Sequence, residues 1–199
     1  MTKAVGYGVV DVEMSTSASA RAVAAADARE FRSEALSLGP LTRPACVAVV
    51  GVRREPGGIG RAVLDSIRAG GFTGELAVIH PEAPDIDGVP TRRRLSDVGR
   101  HIDIAVVAVP ASRLLAVMED AVAAAVSTMV VISSGFEEIG AEGAAIQRRM
   151  LRLARENSIR LVGPNCLGVI NTAPEVSLNA SLAPLMPPRG RAGFSERKP

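Results

Sequence analysis

Residues 46–63, CVAVVGVRREPGGIGRAV, hold the side chains whose types and spacing point to chemistry. An apolar run stops at Gly51, a loop carries Arg53, Arg54, Gly57 and Gly58, and an amphipathic pattern restarts near Ile59 and Gly60. Glycines let backbone approach a ligand closely, and a helix starting at Ile59 aims its unpaired N–H groups and positive dipole end at the same place. That combination predicts a site for phosphate or pyrophosphate. Two guanidiniums at a strand's carboxyl end favour a ligand with several anionic groups, although an Arg pair is also a common solvated surface. The glycines have a plainer role open to them as well, that of a tight strand-to-helix turn. The loop is not the dinucleotide fingerprint G-x-G-x-x-G, because VRREP separates Gly51 from Gly57.

Four more turns follow predicted strands: His80-Pro81, Val109-Pro110, Ser133-Ser134-Gly135 and Asn165-Cys166. In an open α/β sheet the carboxyl ends of the strands are where ligands bind. A nucleophilic Cys166 needs a nearby base, and His80 and His101 are the only histidines, with His101, placed before a strand, on the opposite edge. Cys166 is therefore read as a turn residue touching the ligand, and no residue is assigned to catalysis. Two distant cysteines and two scattered histidines match no metal-ligand spacing. An NAD-binding domain places an acidic residue after its second strand, where this chain has His80 and Pro81 and only Glu82 as a substitute. The basic run 92–94 reads as a solvated face.

The elements that must position these turns alternate. Strands are predicted at 46–50, 76–79, 104–109, 129–132 and 159–162. The stripes Ile59, Val63, Ile67; Leu114, Met118, Val122; and Ile146, Met150, Leu153 mark helices between them. Such alternation predicts an α/β fold, a doubly wound parallel sheet of Rossmann-like type, with wholly apolar strands covered on both faces by helices. Residues 85–90 read as a turn-rich connection. An arm at 7–14 reads as a strand without a partner, and the Ala-rich stretch 19–38 as a helical connector. Beyond Thr172 the pattern fades into an irregular tail that wraps or frays. The expected organisation is an arm and linker over 1–43, a ligand-binding domain over 44–173 and a tail over 174–199.

Composition narrows the class. The 199 residues, 47% hydrophobic, suffice for one domain with extensions. A net charge of +2, 3% aromatic residues and no Trp argue against a nucleic-acid partner. Cys46 and Cys166 make no disulfide framework, which fits a reducing compartment. The start MTKAVGYGVVDVEM lacks a signal-sequence pattern, and no window reaches the roughly 18 apolar residues of a membrane span. A soluble, cytoplasmic protein with no membrane partner is expected.

The stretches VAVVGVRREPGGIGRAV, GGFTGELAVIHP, IDGVP, IDIAVVAVP, VVISSGFEEIGAEG and RLVGPNCLGVINT resemble the CoA-binding domain of the NDP-forming acyl-CoA synthetases. This is the acetate–CoA ligase (ADP-forming) group related to the succinyl-CoA synthetase α subunit. The resemblance implies coenzyme A or acyl-CoA as ligand, bound across the strand ends. It implies that the Gly-rich loop lies near the phosphates and the Asn165-Cys166 turn near the thiol. It also implies other domains or subunits of an acyl-CoA synthetase as partners. DAREFRSEALSLGPLTRP resembles the connector that joins an acetyltransferase (GNAT) domain to this domain in fused bacterial proteins. The family continues after a sequence like GRAGF into a domain with the active histidine and later an ATP-grasp domain, so this chain is not expected to be a complete ligase alone. His80 stands where the family more often has Asn. An NAD(H)-binding redox or sensor domain, or a CoA-free interaction module of the same fold, are the alternatives.

Overall fold

The structure is a computed structural model describing residues 2–5, 9–12, 23–24, 37–82 and 84–190. Its contacts divide the chain into two units, 1–38 and 39–199. In the first, β1 (Thr2–Val5) pairs antiparallel with β2 (Val9–Val12). The arm strand is thus shorter than expected from sequence and has a partner. Asp11 falls opposite Lys3 in the register. Most of the expected connector helix over 19–38 lies outside the described residues.

The second unit is organised around a central strand, β3 (Cys46–Val50), followed by helix α1 (Ile59–Gly70) and β4 (Glu75–Ile79). Next come β5 (Asp85–Ile86), β6 (Val89–Arg92) and β7 (Ile104–Val107), then α2 (Ala111–Ala123) and β8 (Thr128–Val131). Helix α3 (Ala141–Glu156) and β9 (Arg160–Val162) complete a seven-stranded sheet of order β5-β6-β4-β3-β7-β8-β9. All its pairings are parallel except β5 with β6. Because the chain leaves β3 for β4 on one side and returns to β7 on the other, a crevice opens at the carboxyl end of β3, the switch point of a doubly wound sheet.

Period-two alternation sorts the strand residues. Cys46, Ala48, Val50, Ala105, Val107, Met129 and Val131 face α2 and α3, packing on Leu114, Met118, Met150 and Phe136. Val47, Val49, Val78, Ile104, Val106 and Val130 face the other way, onto Val63, Leu64 and Ile67 of α1. Leu64, Ile67, Leu114 and Met118 are fully buried, each worth about 1.5–3 kcal/mol of transfer free energy. Helix α1 stops at Gly71, whose left-handed backbone (φ 73°) returns its N–H to the Arg68 carbonyl.

Helices alone do not cover the second face. A hairpin of β10 (Gly168–Asn171) and β11 (Leu178–Ser181) shares it with α1, placing Val176, Leu178 and Ala180 in the core. Residues 174–190, read from sequence as irregular, contain this strand and the turn after it, whose Ala183 carbonyl accepts from Ser66 Oγ of α1. The signal was hidden because β11 buries polar residues: Asn179 Nδ2 donates to the Ala183 carbonyl, and Ser181 Oγ to Asn179 Oδ1. The connection at 85–90 likewise contains a short hairpin, β5 with β6, that extends the sheet beyond β4 despite Pro90. No helix among the described residues is long and apolar enough to cross a membrane.

Candidate functional site

At the switch point lies a cleft of about 990 Å³. Its walls are Val50 to Glu55 after β3, Ile79 to Glu82 after β4, Arg93 and Arg94 after β6, Ala108 to Pro110 after β7, and one stripe of α2 formed by Arg113, Ala116, Val117 and Asp120. The turn that opens the cleft depends on two missing side chains. Gly51 has φ 95°, and a Cβ there would lie 2.3 Å from the Ala108 carbonyl oxygen. A Cβ on Gly60, in the first turn of α1, would lie 2.4 Å from the Gly51 carbonyl oxygen. The end of β3, the end of β7 and the start of α1 therefore meet backbone to backbone.

Five guanidiniums, from Arg53, Arg54, Arg93, Arg94 and Arg113, line this space against three carboxylates, Glu55, Glu82 and Asp120. None of the five forms an ion pair among the described residues. Asp120 is already engaged, accepting from the Leu95 N–H at 2.7 Å and from Ser96 Oγ at 2.8 Å. The stem of Arg53 runs over Gly58, 3.4 Å from where a Cβ would sit, and Gly58 caps α1 with no side-chain hydrogen bond. A guanidinium thus stands near the positive end of a helix, a juxtaposition relieved by an anion.

The two remaining turns lie at the ends of β8 and β9 and bind each other rather than line the cleft. The Asn165 N–H donates to the Ser133 carbonyl at 2.9 Å. The Cys166 thiol lies 3.4 Å from the Val131 carbonyl and 3.8 Å from that of Val162. Ser134 is exposed, and the Gly135 N–H donates to Glu138 Oε1 at 2.8 Å.

Comparison with known proteins assigns these features a family. The model of the CoA binding domain matches residues 45–172. The chain belongs to this CoA-binding domain family. It is 34% identical over 151 residues to acetate–CoA ligase [ADP-forming] I of Archaeoglobus fulgidus, covering 76% of this chain and 22% of that one. It is 31% identical to the α subunit of acetate–CoA ligase [ADP-forming] I of Pyrococcus furiosus, covering 75% of this chain and 33% of the subunit. Among solved structures, the dinucleotide-forming acetyl-coenzyme A synthetase 1 of Ca. Korarchaeum cryptofilum, in complex with phosphate and ADP, superposes with a TM-score of 0.69 at 35% identity, over 74% of this chain and 31% of that one. The chain thus spans about a fifth to a third of the length of these relatives.

Within this CoA-binding domain, seven residues of the loop and turns singled out from sequence meet in the cleft: Gly51, Arg53, Arg54, His80, Pro81, Val109 and Pro110. Gly57, Gly58 and Ile59 are exposed beside it, and Gly60 is buried in the turn. Ser133, Ser134, Gly135, Asn165 and Cys166 are held together farther along the same sheet edge. Two contributions escaped the sequence reading. Arg93 and Arg94, taken for a solvated face, line the cleft, and so does Arg113, which went unremarked. Its signal was present, since a residue in the first turn of a helix that starts at a strand's carboxyl end lies beside the switch point.

Burial pushes both thiols above their ordinary value of 9.0, Cys46 further helped by Glu75, and backbone hydrogen bonds oppose the rise at Cys166 only in part. Cys166 is therefore a neutral thiol, unsuited to nucleophilic attack. The folded chain holds both thiol protons more tightly than the unfolded chain. The stability they lend is complete below 9.0 and is lost as pH rises through the raised folded values. Denaturant unfolding should show wild type losing more stability between about pH 8 and about pH 10 than a Cys46→Ala/Cys166→Ala variant loses. Equal losses in the two proteins would contradict the buried-thiol account.

Proposed function

We propose that this domain binds coenzyme A, or its acyl thioester, in the switch-point cleft and serves as the CoA-binding part of an ADP-forming acyl-CoA synthetase. The observation that carries the reading is five arginines with no ion pair among the described residues, around one cleft at a doubly wound switch point. Coenzyme A is a fitting occupant because it carries a pyrophosphate and a separate ribose phosphate on one elongated molecule. The volume lies at the upper end of the range for small-molecule sites. Arg53, Arg54 and the loop from Gly51 to Gly60 are suited to the pyrophosphate, the Val109-Pro110 and His80-Pro81 turns to the body of the ligand. The Ser133-Gly135 and Asn165-Cys166 turns, farther along the same edge, are suited to a thiol end that reaches past the cleft, where Cys166 touches the ligand without reacting. The bound thiol is the group that the synthetase acylates, and this domain's residues orient it. Other domains or subunits of such a synthetase are the partners this role requires, and two free cysteines suit the reducing cytoplasm in which it would act.

Parallel calorimetric titrations with CoA, acetyl-CoA and NADH test the reading. CoA and acetyl-CoA should bind with similar affinity, and added salt should weaken both as the guanidinium–phosphate pairs are screened. Micromolar NADH binding without CoA binding would favour the dinucleotide alternative, for which Glu82 in the cleft offers a carboxylate. Binding of none of the three would leave an interaction module.

A further inference from the structure

Arg93 and Arg94 are a positioned pair, not part of a loose charge run. Before them, β6 is fixed to β4 by Thr91 opposite Val78 and Arg92 opposite Ile79, and the His80 N–H donates to the Arg92 carbonyl at 2.8 Å. After them, Leu95 is 1% exposed, and the Asp120 carboxylate accepts from its N–H and from the Ser96 hydroxyl. Two residues are thus stretched between two fixed points. The run is also sorted by direction: the Arg92 guanidinium turns back to the Thr91 carbonyl at 3.1 Å, while Arg93 and Arg94 line the cleft. Across from them, Arg113, Ala116, Val117 and Asp120 follow the i, i+3, i+4, i+7 spacing of one helix face. The carboxylate of that stripe is consumed by the turn it anchors, so the stripe presents Arg113 above an apolar floor.

Resting on the coenzyme A reading, we infer that Arg93, Arg94 and Arg113 form a second anion subsite that takes the phosphomonoester on the ligand's ribose, separate from the Arg53–Arg54 pair. The sheet supplies the separation. Strand β6 lies two strands from β3, about 10 Å along the sheet edge at ordinary strand spacing. Two anionic groups of one ligand, parted by a sugar, suit that interval. A phosphomonoester carries close to two negative charges near neutral pH, enough to engage three guanidiniums. The chain therefore selects for the ribose phosphate itself, a group that a dephosphorylated ligand lacks.

Calorimetry of the full chain with CoA and with dephospho-CoA tests this. Wild type should prefer CoA by roughly tenfold or more, the value of one or two charge-assisted hydrogen bonds. Arg93→Gln/Arg94→Gln should lose that preference while its affinity for dephospho-CoA stays within about twofold of wild type, since the pyrophosphate contacts are untouched. Arg113→Gln, a single exposed substitution, should lose part of the preference and serves if the double variant fails to fold. An undiminished preference for CoA in these variants would overturn the subsite and leave the coenzyme A reading standing. Failure of wild type to bind either ligand would overturn the coenzyme A reading, and the subsite with it.

Discussion

Replacing Gly60 by valine should cost about 3 kcal/mol of stability, a large part of what a domain of this size has. Guanidinium unfolding would register it as a markedly lower midpoint. The reason is that the obstacles are backbone. A Cβ on Gly60 would meet the Gly51 carbonyl oxygen at 2.4 Å, its carbon at 2.7 Å and the Val52 nitrogen at 2.9 Å, and no rotamer change moves them. Gly51 cannot yield either, because the Ala108 carbonyl fills its own side-chain direction at 2.3 Å. Relief requires α1 to lift from β3, uncovering Val63, Leu64 and Ile67. Gly39→Ala is the control: nothing lies within 4 Å of its Cβ position, and the change should stay within about 0.5 kcal/mol. A Gly60→Val protein with the wild-type midpoint would show that the turn is not the fixed junction described here.

That junction shows why the fold was legible from sequence. Strands buried on both faces are uninterrupted apolar runs, and 46–50, 76–79, 104–109, 129–132 and 159–162 each fall on a strand, with boundaries shifted by a residue or two. Amphipathic stripes with buried Leu64, Leu114 and Met150 fall on the three long helices. What was not legible lacked such a run. β6 has two residues in register with β4 and a proline beside them, so its place is set by the neighbouring edge and not by its own pattern. β11 is LNAS, buried on α1 with its polar groups satisfied by the turn that follows, so tertiary context overrides the polar composition.

The site was half legible for a related reason. Topology places every strand-end turn on one edge, so naming the turns needed only the alternation of elements. It does not say which turns face one another. The structure groups the β3, β4 and β7 turns around a cleft and ties the β8 and β9 turns to each other through Asn165 and Ser133. The basic run at 92–94 misled because composition carries no direction; the β6 pairing and the Asp120 anchor turn two of its three side chains into the cleft.

The remaining large effect concerns Arg53 and Arg54. Arg53→Gln/Arg54→Gln should weaken CoA and dephospho-CoA alike by roughly 100-fold, the loss of two charge-assisted contacts to pyrophosphate. Both residues are exposed, so the melting temperature should hold, and the salt dependence of binding should flatten as fewer charge pairs remain to be screened. Removing two positive charges also lowers the overall field that attracts an anion. The matched control is therefore Arg148→Gln/Arg152→Gln, exposed on α3 and outside the cleft. That variant has the same net charge and should bind CoA within about twofold of wild type. Equal weakening in the two variants would mean a diffuse field rather than a site. No weakening in the Arg53–Arg54 variant would move the pyrophosphate away from this loop. Local loss with the control intact is the expected result, because Arg53 lies across Gly58 beside the start of α1, where helix and guanidinium together leave positive charge with no ion-pair partner among the described residues.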